Sequence, residues 1–238
     1  MILLYLSMAF ESMYYPQSIF YEHLHDIALH RYEGSRLCAG MHSHYGLAGV
    51  HTYSLTIGHC SYLISGISFG HEMYRENQVV GSFGFDLVPH FHTGVGVALL
   101  NYWVKEYCSR YGYALHMSTY YDMYPLTLGG WLNNVNMPHL HDVDAIPMTY
   151  TVRIQYVLPR GITCILAARG TPTQVPFLHA GFSWEVHTYA VIGIGANTEP
   201  LYVEYMLRLP LGHIGIHYYG TLHEYLGLSH AVRISFKL

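Results

Sequence analysis

Apolar and polar residues alternate through most of this chain. At its C-terminal end Leu228, His230, Val232, Ile234, Phe236 and Leu238 fall on one side, and Ser229, Ala231, Arg233, Ser235 and Lys237 fall on the other. A strand turns successive side chains to opposite faces, so this end has one apolar side and one polar, cationic side. The pattern recurs in pieces of about ten residues, the length a tilted strand needs to cross a bilayer. These features predict an all-β chain, a transmembrane antiparallel up-and-down β-barrel, rather than a water-soluble enzyme.

The alternation lays down strands over 53–63, 66–71, 78–88, 91–105, 111–122, 125–134, 147–158, 161–169, 177–188, 190–197, 201–209, 211–220 and 228–238. Tyr53, Leu55 and Ile57 oppose Ser54, Thr56 and Gly58, while Val95, Val97, Leu99 and Trp103 oppose Gly94, Gly96 and Ala98. Tight connections are expected at Ser65-Gly66, Pro89-His90, Met123-Tyr124, Pro159-Arg160, Tyr189 and Pro210. Longer, more polar ones fall between them at 72–77, 106–111, 135–146, 170–176, 198–200 and 221–226. Outer-membrane barrels sort their loops this way, with tight periplasmic turns and longer extracellular loops. An even-stranded barrel then needs one more strand, which must lie within 25–47, giving about fourteen strands with twelve as the alternative. Residues 13–24 would supply a short plug or a tail.

Composition agrees with a membrane wall. Charged residues are 11% of the chain and aromatics 15%, with 24 Tyr and 23 Gly, against roughly 25% charged residues in soluble domains. No apolar run approaches the roughly 18 residues of a transmembrane helix. Net charge is −4 with two lysines, Lys105 and Lys237, and no basic stripe, so nucleic acid is not an expected partner. Cys38, Cys60, Cys108 and Cys164 are scattered and form neither a zinc pattern nor a disulfide framework. The opening MILLYLSMA ends in Ser-x-Ala without a preceding cation. Residues 1–20 therefore read as an atypical signal peptide or N-terminal tail, and 21–238 as the barrel domain.

The second half resembles the outer-membrane barrel family of PorV and PorQ, relatives of the FadL-type transporters. The likeness is carried by 94–105 (GVGVALLNYWVK), 113–121, 126–134 (LTLGGWLNN), 150–169 and the closing LSHAVRISFKL. The family's N-terminal Asn-Pro-Ala-Gly-Leu-like motif is degenerate here, hinted at only by 39–46 and Gly46-Leu47. The resemblance implies a barrel of fourteen strands without a catalytic signature, in the bacterial outer membrane. It would either pass a small hydrophobic ligand or serve a secretion assembly, with membrane lipid as its surroundings and no cofactor.

The side chains offer three kinds of chemistry. Inward-facing Arg153, Arg169, Glu185, Glu204, Arg208 and Arg233 are expected to line the lumen, pairing across it or bordering a polar channel. The first set to compare is Arg153 and Arg233 against Glu185 and Glu204. Trp103, Trp131, Trp184 and many Tyr are expected in aromatic girdles at the strand ends. His-x-His occurs four times among 19 His, at His23/His25, His42/His44, His90/His92 and His139/His141. Such pairs share a strand face and could clamp a transition metal, although chance supplies about one or two of them. The fullest metal candidate is His139, His141, Asp142 and Asp144 in the longest expected loop. The rival fold is a soluble His-rich β-protein binding a divalent metal, and it would bury the Val95 and Val232 faces together. An outer-membrane lipid hydrolase would draw on His42-Ser43-His44 or His59-Cys60-Ser61. No nucleophile, base and orienting group are joined by sequence, so no enzymatic activity is expected.

Overall fold

The computed structural model describes residues 35–45, 47, 49–139, 145–198, 201–224 and 226–238. Fourteen strands follow one another in antiparallel order. They are β1 (Ser35–Ser43), β2 (His51–His59), β3 (Tyr62–His71), β4 (Tyr74–Val88), β5 (Phe91–Val104), β6 (Cys108–Met123) and β7 (Leu126–Asn133), then β8 (Thr149–Leu158), β9 (Ile162–Gly170), β10 (Phe177–His187), β11 (Ala190–Thr198), β12 (Leu201–Leu211), β13 (Ile214–His223) and β14 (Gly227–Lys237). The sheet closes where β1 pairs with β14, from Arg36 opposite Lys237 to Ser43 opposite His230. Closure removes both sheet edges, so every strand has a backbone partner on each side, as a hydrocarbon environment demands.

Alternation decides what each face meets. Val97 and Leu99 are 49% and 64% exposed, whereas Ala98 and Leu100 between and beside them are at most 1% exposed. The same holds on β14, where Val232 and Ile234 face out while Ala231 and Arg233 are buried. A continuous apolar exterior on a closed barrel is stable only against lipid tails. The Val95 and Val232 faces thus point outward, opposite to what the soluble rival requires. The chain is an outer-membrane β-barrel.

One rim carries only tight turns, at 60–61, 89–90, 124–125, 159–161, 188–189 and 212–213, together with the start of β1 and the end of β14. Cys60, His90 and Gly212 take positive φ there, as two-residue hairpins of strongly twisted strands require. The other rim carries the long connections 44–50, 134–148 and 171–176. Four of its connections, 72–73, 105–107, 199–200 and 224–226, are no longer than those opposite, so short and long connections do not alternate strictly. The expected turn at Ser65-Gly66 is also wrong. Gly66 lies mid-strand, between Leu55 and Val79, and the chain turns at Cys60-Ser61. Leu63 and Ile67 point inward while Ile64 points outward, so both faces of β3 are apolar and the boundary left no mark in the pattern. The missing strand of 25–47 is β1. Residues 1–20 and 13–24 lie outside the described residues.

Candidate functional site

The interior is polar over most of its wall and carries two apolar clusters. On the β3–β6 side, inward Ile67, Val80, Ala98, Leu100 and Ala114 pack with Ile146, which comes from the 134–148 connection. Ile146 therefore brings the end of that connection into the lumen. The connection is pinned by Asn134, whose side-chain amide donates to the Pro147 carbonyl at 3.2 Å, and by Ile146 N–H donating to the Pro138 carbonyl at 2.9 Å. Asn136 stitches the same connection to β6, accepting from Leu115 N–H and donating to the Tyr113 carbonyl, both at 2.9 Å. Across the lumen Ile165, Val191, Met206, Tyr219 and Ala231 form a second inward cluster.

At the tight-turn rim the inward cations cluster on neighbouring strands. Arg208, His217 and Arg233 are direct cross-strand neighbours on β12, β13 and β14. Two rungs nearer the rim, Lys237 is paired with Arg36 on β1. These groups, with His213, line a cavity of about 230 Å³. Asp86 and Asp122 stand on β4 and β6, roughly opposite in the ring, while Glu185 on β10 shares the rung of Arg208. Asp86 holds His92 Nδ1 at 2.5 Å, and Asp122 accepts from the Thr127 hydroxyl at 3.3 Å.

At the loop rim, β9 to β13 bring together Arg169, His179, Tyr202, Glu204 and His223. Tyr202 hydroxyl lies 3.4 Å from His179 Nδ1, and that nitrogen is 3.8 Å from a Glu204 carboxylate oxygen. In the neighbouring 44–50 connection, Tyr45 N–H donates to the Ser229 hydroxyl at 2.8 Å, and His44 Nε2 is 2.7 Å from the Thr52 hydroxyl. Burial holds the His44 imidazole down at about 4, with His51 adding to the effect, and burial raises the Tyr45 phenol.

The six charged residues expected in the lumen all sit on the inward register, but at three heights. Arg208 and Arg233 belong to the tight-turn rim, and Glu185 lies on the same rung as Arg208 with Val191 between them. Arg153 is mid-wall on β8, where it donates to the Gln155 side chain at 3.2 Å. Arg169 and Glu204 are at the loop rim. Trp131 departs from the girdle expected of it. It points inward, 4% exposed, on the same parity as Asn133 and Thr127, while Trp184 is exposed on the outer face. Sequence reading passed over Arg36 because 25–47 is poorly patterned, and Asp86 and Asp122 because each sits at the ragged end of its strand.

His139 is exposed at an isolated bridge to Ala145. His141, Asp142 and Asp144 lie outside the described residues. Among the described residues no group of three or more His, Cys, Asp or Glu is placed to hold a metal. The hydrolase residue types are separated or misplaced. Ser43 points away from the lumenal pair His42 and His44, whose ring centroids are 4.0 Å apart. Cys60 Sγ is 3.5 Å from His59 Nε2, on an exposed tight turn.

No family model matches the chain, and no curated protein matches it. Solved structures do. A KdgM porin in complex with disordered oligogalacturonate superposes with a TM-score of 0.52 at 10% identity, covering 85% of this chain and 99% of that one. A NanC porin aligns at TM-score 0.43 and 12% identity, over 86% of this chain and 100% of that one. A mutant of the Rh. blastica porin gives 0.46 and 6%, over 86% and 98%. The shared feature is the fold. The likeness to the KdgM porin supports the barrel fold, and nothing found supports the PorV/PorQ assignment.

Proposed function

We propose that this chain is an outer-membrane channel for small hydrophilic solutes, with no enzymatic activity of its own. The observation that carries this reading is the charged mouth, with Arg36, Arg208, Arg233 and Lys237 on one side of the tight-turn rim and Asp86 and Asp122 on the other. Opposed charge in a low-dielectric wall orients dipolar solutes and concentrates charged ones. The inward Ile146 connection narrows the passage, which favours small solutes over large ones. In the KdgM porin a barrel of similar fold holds disordered oligogalacturonate. The test is planar-bilayer conductance of the refolded protein. Stepwise insertion events support a channel, and a correctly folded barrel that gives no steps and admits no sugar into liposomes overturns it.

A second reading keeps the FadL-like role, passage of a small hydrophobic ligand. It is favoured by an apolar hollow of about 570 Å³ on the lipid side, bordered by Tyr62, Ile64, Phe83, Val95, Val97 and Met117. Saturable fatty-acid binding that is lost when Phe83 and Val97 are replaced by polar residues would favour it. A role in a secretion assembly would instead show as co-purification with other envelope proteins from intact cells.

A further inference from the structure

We infer that the loop-rim end of β4 holds a lumenal binding site for an ammonium group, with the Glu76 carboxylate as its counter-charge and the Phe69, Tyr74 and Tyr102 rings as its walls. The inference goes beyond the channel reading, because binding there can be measured whether or not the barrel conducts.

Register builds the site. Tyr74, Glu76 and Gln78 are alternate residues of β4, so all three share the lumenal face. Glu76 stands opposite Phe69 on β3 and Tyr102 on β5, which puts an aromatic residue on each side of it. The Tyr74 ring is edge-on to both of these, with centroids 6.5 Å from Phe69 and 5.4 Å from Tyr102. Gln78 lies one inward position deeper, between Ile67 and Leu100. Those two residues belong to the apolar cluster that Ile146 completes, and Phe69 and Tyr102 pack against the same cluster. Glu76 is 0% exposed in this corner and Gln78 is 1% exposed.

The polar groups of this corner are not matched by one another. Neither Glu76 oxygen, neither polar atom of the Gln78 amide, nor the Tyr74 hydroxyl has a hydrogen-bond partner in the protein. The nearest cation on the rung of Glu76 is Arg110 on β6, beyond Tyr102. An ionised carboxylate buried in this way needs a counter-charge and hydrogen-bond donors. One ammonium group supplies both. It carries a positive charge and three N–H donors, and the Glu76 carboxylate, Gln78 Oε1 and the Tyr74 oxygen are three acceptors. Aromatic faces attract the same cation, as in the cages that recognise organic ammonium ions. Hard metal ions take about six or more oxygen ligands, and ring carbon on three sides leaves too few here. An oxyanion is repelled, and a neutral solute leaves the carboxylate without a counter-charge.

The test is isothermal calorimetry of the full-length refolded barrel in detergent at pH 8, titrated with methylammonium chloride in a sodium chloride background of equal ionic strength. Saturable binding, weakened tenfold or more in Glu76→Gln, supports the site. Tyr74→Phe removes one acceptor and keeps the ring, so it should weaken binding about threefold. Heat-dependent gel mobility establishes that each variant is a closed barrel. With methylammonium bound, binding of n-butylammonium as well supports a site for amine-ended solutes, and its rejection supports one for the small free ion. No saturable heat in wild type means that sodium serves as well or that nothing binds, and either overturns the assignment. Equal binding by wild type and Glu76→Gln overturns it too.

Discussion

Arg208 and Arg233 stand on one rung of the barrel wall with His217 between them, their Cα positions two strands apart. Two guanidinium groups distant in sequence thus start roughly 10 Å apart and face the same water. Asp86 and Asp122 hold the other side of that rim. Ion selectivity should follow these two arcs. Arg208→Glu with Arg233→Glu is expected to reverse the ion preference measured as a reversal potential in a salt gradient. Asp86→Asn with Asp122→Asn is expected to increase preference for the anion. Both effects should shrink as salt rises, because screening shortens from about 10 Å at 0.1 M to about 3 Å at 1 M. Unchanged reversal potentials in both variants would remove these charges from the permeation path.

Ile146 is the point at which the long connection enters the lumen. It is 5% exposed and packs on Ile67, Val80, Ala98, Leu100 and Ala114. Ile146→Ala should lower stability by about 2 kcal/mol or more through lost contacts and the cavity left behind. The same change loosens the connection from the wall, so single-channel conductance should rise. A drop in urea resistance with conductance unchanged would mean that the connection packs on the wall without narrowing the path.

Val97 is mid-strand on the outer face of β5. Val97→Arg should cost about 2–4 kcal/mol if that face meets the bilayer centre, and the same substitution near a rim, at Tyr62, should cost much less. Folding equilibria in lipid vesicles measure both. Equal costs at the two positions would be incompatible with a lipid-facing band centred on Val97.

The barrel was legible because lipid demands apolar side chains on alternate residues, and the outward faces of β5 and β12 supply them as Val95, Val97, Leu99, Val203 and Leu207. The fourteenth strand was legible only by parity, since Arg36, Cys38 and His42 on its inner face face Leu37 and Met41 across a weak contrast. The lost boundary at Cys60-Ser61 has a physical source. Where the lumen itself is apolar, as at Leu63 and Ile67, a strand loses its polar face and its ends become invisible. Arg208 and Arg233 could be named from sequence as inward charges. Their partnership could not, because the rung that joins them is set by hairpin register. The inward placement of Ile146 was equally hidden, since nothing in the sequence sets it apart from Val135, Met137, Ala145 and Met148 in the same connection.

His71 and Tyr74 flank the two-residue turn between β3 and β4, and Gly70, one residue before, takes φ +128°. A Cβ at this position would fall on the Tyr74 carbonyl, which is backbone and cannot rotate away. Gly70→Ala should therefore destabilise by about 1–3 kcal/mol. It should also fray the loop-rim end of this hairpin, where Arg75 pairs with Gly70. Faster amide exchange at Phe69 and Tyr74 than at Ile64 and Gly81 is the expected signature. Uniform exchange across the hairpin would count against it.

His44 gives the fold a pH dependence outside the membrane-spanning strands. Its imidazole is 8% exposed, and burial lowers it from 6.5 to about 4, with His51 opposing the charge further. The unfolded chain therefore binds a proton that the folded chain refuses between those two values. Stability from neutral His44 is fully present above the ordinary histidine value and is lost as pH falls through the window toward about 4. Below that the loss is complete and further acid adds nothing from this group. His44→Gln removes the titration while keeping a polar partner for the Thr52 hydroxyl, which His44 Nε2 meets at 2.7 Å. Other histidines contribute their own dependence, so the decisive quantity is the difference between the two proteins. Urea midpoints should fall more steeply in wild type than in the variant between about pH 7 and about pH 4.5. Parallel curves would show that His44 is protonated as easily in the folded barrel as in the unfolded chain.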